Sequence, residues 1–394
     1  MPQRIEEHTG ARIKSARKRR RLTQRELAHR SRVSYSTLTK VEQGHIPASP
    51  SVIGALAHAL SVPVTELTGQ PYLEELQQDH LDGLIHPIRE ALNLYDLGAD
   101  PDITPRQLSD LADQAEEMCR LVRATNIKQV ATELPALIVE ATTVAHVEGT
   151  TEAWRTLASS YRTAYDVSTK LGFIDLSAIA LDRLEWAAQR ASDPILGGMR
   201  QYLRALAYLR ASDYTTGKRL IRLGMSTLDQ ADDGQERDVV TGQMHLGAAV
   251  LAGRDKDRDT AEGHLAEAGR IATRTGPAEA VHWLSFGPTN VGVHRVSVLA
   301  ELDQYGEAVE KAESIRMPDD WPPSRMAHHY AEVARAQMWT GRTDDAFRNL
   351  LRARKLAPQQ TRYHPTVRET YSGLQAARRQ MPDDLINYGA WLGA

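Results

Sequence analysis

The sequence predicts an all-α protein: a compact five-helix domain at the N-terminus, then an α-solenoid of paired helices. Three observations carry this expectation. Thr23 and Glu26 stand three apart, just before the apolar pair Leu27-Ala28. At that spacing a hydroxyl and a carboxylate each satisfy an orphan amide at a helix start. From Tyr72 to Ala394 apolar residues recur at intervals of three and four, with Gly or Pro breaks roughly every 15–20 residues and no strand-like alternation. Within that stretch a pattern of small and aromatic residues returns at about 34 residues, the mark of a repeat.

Taken in order, residues 1–11 are polar and predict a flexible arm. Ile13, Ala16 and Leu22 begin the first helix, and Arg17-Lys18-Arg19-Arg20-Arg21 crowd its end. The helix dipole favours cations there, but one or two would suffice. Arg17, Arg19 and Arg21 are therefore expected to contact phosphate, which supplies affinity without sequence information. The second helix opens at Thr23 and ends near Ser31. After a short turn Ser34 can cap a third helix, Tyr35 to Gln43, closed by Gly44. Pro47 and Pro50 make the next turn, Ser51 to Leu60 a fourth helix and Val64 to Leu67 a fifth. Gly69-Gln70-Pro71 then marks a boundary.

Two short helices joined by a tight turn are the helix-turn-helix layout, whose second helix enters the DNA major groove. Leu38 and Val41 have the spacing of buried residues, so Tyr35, Ser36, Thr37 and Lys40 fall on the outward face. Lys40 can pair with guanine, a contact worth ~1–3 kcal/mol of discrimination when bidentate. Gln24 is expected to bind a phosphate and to brace a residue of the reading helix.

Thr23, Gln24, Glu26, Leu27, Ala28, Val33, Ser34, Glu42, Gly44, Pro47, Leu56, Ala57, Ala59 and Leu60 together resemble the lambda-repressor-like, or XRE, family of bacterial DNA-binding domains. The resemblance implies a five-helix fold over residues 12–70 and an operator as partner. It also places the base-reading residues on the face already named. One departure is Arg32, where the family carries a turn glycine. A single small reader contacts few bases, so a homodimer on a palindromic operator is expected.

Beyond the boundary the clearest repeat is Ala327–Pro358, with Tyr330, Ala334, Gly341, Ala346, Leu350, Ala353 and Pro358 at tetratricopeptide spacings. Asn290–Ser314, Thr241–Thr275 and Met199–Leu228 are looser copies, and Trp154 to Arg190 holds another. The region resembles the degenerate tetratricopeptide sensor domains of intracellular bacterial regulators. On this reading residues 71–145 are a linker and connecting helical layer, and residues 146–394 bind a ligand and dimerise. Stacked repeats offer a concave surface lined by the first helix of each pair. His328, Glu332 and Arg335 should face it, with Asn290 and His294 one repeat earlier and His245 two earlier. Such polar groups suit the backbone of an extended peptide. Asparagines clamp the peptide in the pheromone-responsive, quorum-sensing regulators this chain resembles. Trp283 to Asn290 is similar to a segment recurring in actinobacterial regulators of this type.

Charge divides along the same line. Residues 1–70 hold 12 Lys and Arg against 5 Asp and Glu; the remaining 324 hold 36 against 46. A basic head on an acidic body favours DNA at the head alone. The lone cysteine, Cys119, excludes an internal disulfide framework and fits a reducing cytoplasm. No apolar run approaches the ~20 residues needed to span a bilayer, so no membrane partner is expected. Enzyme readings fail on spacing. His328 and His329 are adjacent and project ~100° apart on a helix, and there is no HExxH, CxxC or phosphate loop. Neither a catalytic residue nor a metal or other cofactor is expected. The expected function is a sequence-specific transcriptional regulator sensing a peptide or small molecule. Two alternatives stay open: an adaptor whose repeats bind another protein, and a ligand-independent repressor.

Overall fold

The computed structural model describes residues 8–378 and 380–393. Every regular element in them is helical; one isolated bridge joins Ala278 to Phe286. The head comprises α1 (Thr9–Arg19), α2 (Gln24–Ser31), α3 (Tyr35–Glu42), α4 (Pro50–Leu60) and α5 (Val64–Thr68). The starts of α2 and α3 are capped as the residue pattern implies. Glu26 N–H donates to Thr23 Oγ1 at 3.2 Å, and Thr23 N–H donates to Glu26 Oε2 at 2.7 Å. Ser34 Oγ accepts from Thr37 N–H at 3.0 Å. Ile13, Leu27, Leu38, Leu56 and Leu67 are buried in the head's own core.

The N-terminal arm differs from expectation. Residues 1–7 lie outside the described residues, but α1 already starts at Thr9. His8 caps this early start, its Nδ1 accepting from Ala11 N–H at 3.3 Å, and a Cβ on Gly10 would stand 1.9 Å from the Val41 carbonyl oxygen, so glycine lets α1 lie directly on α3. Arg32 adopts φ +56° at the end of α2, where a side chain costs roughly 1–2 kcal/mol. Glycine gives back part of that gain as unfolded-state entropy. Arg32→Gly is expected to stabilise the head by about 0.5–1 kcal/mol, read by urea denaturation.

The connecting region consists of α6 (Leu73–Gln78), α7 (Ile85–Asn93), α8 (Leu108–Arg123) and α9 (Ile127–Glu148). Five hairpins follow: α10 (Thr151–Lys170) with α11 (Ile174–Ala191), α12 (Pro194–Arg210) with α13 (Tyr214–Leu228), α14 (Gln235–Arg254) with α15 (Arg258–Thr275), α16 (Pro288–Glu301) with α17 (Tyr305–Glu313), and α18 (Pro323–Trp339) with α19 (Thr343–Leu356). The chain closes with α20 (Pro358–Arg362), α21 (Pro365–Ala376) and α22 (Asp383–Leu392). The boundary expected at residue 145 falls inside α9, whose Leu134, Ile138 and Ala141 share one core with α8 and α10. The connecting layer is thus part of the repeat body. By length and composition α9 could also cross a membrane, contrary to the reading of the sequence; here 56% of its apolar window is buried inside the protein.

The series curls back on itself. Arg362 bonds Asp79, and the Arg368 guanidinium sits 3.7 Å from the Tyr72 ring centroid while bonding Glu75 at 2.6 Å. The loop before α16 reaches across as well: Arg123 Nε donates to the Trp283 carbonyl at 2.7 Å, and Trp283 Nε1 donates to Glu116 at 2.8 Å. The last helices thereby return to the first, and the concave face becomes a hollow.

Candidate DNA-reading face and repeat cavity

On α3, Leu38 and Val41 point into the head, whereas Tyr35, Ser36 and Lys40 are exposed and Thr37 half-buried. Thr37 also shares a hydrogen bond with the Ser34 hydroxyl at 2.7 Å, part of the helix cap. Arg25 lies 5.8 Å from the Tyr35 ring, extending a basic rim beside this face. Arg21 is exposed. Arg19 is exposed too, but forms an ion pair with Glu66 on α5.

Arg17 is a correction. It is buried, and its Nε and Nη2 donate to Glu42 at 2.6 and 2.8 Å while Nη1 donates to the Leu22 carbonyl at 2.8 Å. Its charge ties α1 to the end of α3 and is not offered to phosphate. Gln24 Nε2 donates to the same carboxylate at 2.8 Å. Glu42 is therefore the knot joining α1, α2 and α3, and it fixes the angle at which α3 presents its outer face.

A cavity of about 950 Å³ lies between head and body. Its head side is built by the turn at Pro47–Ser49 and by α4 and α5, including Ile53, Ala57, Val62 and Val64. The seat is tight: a Cβ on Gly54 would lie 1.7 Å from Ser212 Oγ. Glu369 on α21 accepts from the Thr9 hydroxyl and from Ala48 N–H at 3.3 Å. Burial pushes this carboxyl above its ordinary value of 4.5. The folded state thus favours the protonated acid, and that stabilisation is lost as pH rises from 4.5 through the folded pKa. Glutamine can keep both contacts, because the Thr9 hydroxyl can turn and accept. Glu369→Gln should match the wild-type melting temperature near pH 4 and exceed it at pH 7.

Of the expected ligand contacts, His294, His328, Glu332 and Arg335 line this cavity. Two others do not. The His245 side chain turns to α15, its Nδ1 2.9 Å from that of His264; Gly247, Val250 and Arg254 take the inner face of α14 instead. Asn290 is fully buried behind the wall, where its Oδ1 accepts from Arg325 at 2.5 Å and its amide donates to Gln243 at 3.3 Å.

Sequence reasoning missed the charge network across the wall. Arg254 donates to Glu301 at 2.7 and 3.0 Å, and Arg335 bridges Glu301 and Glu332. Burial works to raise the Glu301 carboxyl, yet Arg254 and Arg335 hold it well below its usual range; burial keeps Glu332 above its own. His294 and His364 are neutral, burial having lowered them to about 3 and about 4.

Residues 8–68 match the family described as a helix-turn-helix domain, so the head is a DNA-binding domain. No curated protein matches the chain. Among solved structures the chain is similar to BtubC (BKLC) from P. vanneervenii, at 15% identity over 64% of this chain and 92% of that one, with a TM-score of 0.35.

Proposed function

We propose that the protein is a cytoplasmic, sequence-specific transcriptional regulator. The outer face of α3, with Tyr35, Ser36, Thr37 and Lys40, reads operator bases, while Gln24 and the cations Arg19 and Arg21 contact phosphate. The observation that carries this reading is the exposed polar face of α3, held from behind by the Arg17–Glu42–Gln24 knot. Two copies pair on a palindromic operator. The cavity receives a peptide or small-molecule effector, and because the head forms one of its walls, occupancy alters how firmly the head is seated.

Lys40→Ala is expected to cost ~1–3 kcal/mol on the preferred sequence and to relax the preference at one base position. Arg21→Ala should weaken every duplex about equally and reduce the slope of log affinity against log salt by ~1. Titrating both variants against matched and scrambled duplexes at several salt concentrations checks this; unchanged binding by both would remove α3 as the reader.

A further inference from the structure

The body is acidic, but its hollow is not. Six cations line the cavity, against the three carboxylates Glu301, Glu332 and Glu369. Arg254 and Arg335 are matched by Glu301 and Glu332, and Arg123 meets Asp166 at 2.9 Å. Glu369 is engaged at the head, bonded to Thr9 and Ala48. Lys170, Arg210 and Arg325 remain, with no carboxylate in hydrogen-bond range among the described residues. Their hydrogen-bond partners are neutral: Gln360 for Lys170, the Tyr165 hydroxyl at 3.0 Å for Arg210, and Asn290 for Arg325. The Nε atoms of Arg210 and Arg325 are buried without a hydrogen-bond partner among the described residues.

Unpaired buried charge is costly, and three like charges around one space repel. Burial, with Arg123 close by, pushes Lys170 down to about 7 against the opposing pull of Asp166, which is held by Arg123, and burial lowers Arg325 to about 10. His364, which shares this wall, feels Lys170, Arg335, Arg210 and Arg254 together.

We propose that Lys170, Arg210 and Arg325 bind the anionic end of a small molecule, a carboxylate or phosphoryl group, whose apolar remainder lies against Ile53, Ala57, Val62 and Val64 of the head. A carboxylate or phosphate accepts from guanidinium and ammonium groups in charge-assisted bonds. The apolar residues on the head side disfavour a second charge there. Such an occupant touches both bodies and strengthens the seat of the head. Its regulatory meaning rests on the reading proposed above; its binding does not.

The test uses the full chain and three probes of equal length at fixed ionic strength: octanoate, octyl phosphate and octan-1-ol, titrated calorimetrically. Both anions, or one of them, should bind at least ten-fold more tightly than the alcohol, and the tighter of the two identifies the headgroup. Arg325→Gln and Lys170→Gln should each weaken the anion by roughly ten-fold or more and leave the alcohol unchanged. Equal binding of anion and alcohol overturns the proposal, and so does the absence of binding by any probe. The comparison on the unaltered chain holds even if a variant misfolds. Duplex binding is measured on the same preparation without probe. Its failure would sink the regulator reading alone, whereas anion failure beside intact duplex binding would sink only this inference.

Discussion

Arg17→Met is expected to unfold the head while leaving the repeat body folded. The substitution keeps the aliphatic bulk but removes the three donations to Glu42 and the Leu22 carbonyl. A carboxylate then stays buried with Gln24 as its only side-chain donor among the described residues. Removing one partner of a buried pair costs ~3–5 kcal/mol, and a domain of about 60 residues has roughly that much stability to lose. Circular dichroism should show a new low-temperature transition with amplitude proportionate to the head. Binding to every duplex should vanish at the temperature where that transition is complete. A single unshifted melt would mean that Arg17 lies in solvent, as the run of cations first suggests.

Gly54→Ala is expected to unseat the head without weakening it. Gly54 is buried against Ser212, but alanine in a helix interior is favoured over glycine by about 0.5–1 kcal/mol, so α4 itself gains once it is clear of that contact. The added Cβ meets Ser212 Cβ at 2.3 Å as well as its Oγ, a contact that rotation of the hydroxyl cannot relieve. The head must lift, opening the cavity. Limited proteolysis should then cut near Gly69-Gln70-Pro71 far faster than in the wild type. Ser212→Gly removes the obstructing atoms, and its φ of +62° suits glycine. The double variant should recover wild-type resistance, a coupling that separate effects on each domain would not produce. No change in cleavage would show that the seat in solution is looser than this packing.

What could be read from the residues was local. The Thr23–Glu26 box, the Ser34 cap and the apolar spacing of Leu38 and Val41 act within one or two turns, so they are written in adjacent letters. The burial of Arg17 is not local: its partner is 25 residues away, and a cation in a basic run has the same letter whether buried or solvated. The inner face was legible on α18, where aromatic and small residues set the register. It slipped on α14, where Gly242, Gly247 and Gly253 leave few large side chains to set it, and His245 was placed on the wrong side. Lys170, Arg210 and Arg254 each end the first helix of successive pairs. That recurrence was visible, but a cation in a last turn has a sufficient local explanation in the helix dipole. Nothing in the chain announced that Glu369 would meet Thr9 from 360 residues away, or that Gly54 would rest on Ser212. The seat of the head depends on the accumulated curvature of the helix pairs between, which no short window contains.

Whether α3 of the proposed regulator reads base sequence from a head seated over the hollow is decided by selection from a random-sequence duplex pool by the full chain, run in parallel with a Tyr35→Ala, Ser36→Ala, Lys40→Ala triple variant. One recurring motif with two related half-sites about one helical turn apart is expected, enriched by the wild type and not by the triple variant. A pool that stays random, or the same motif recovered by both proteins, would contradict it.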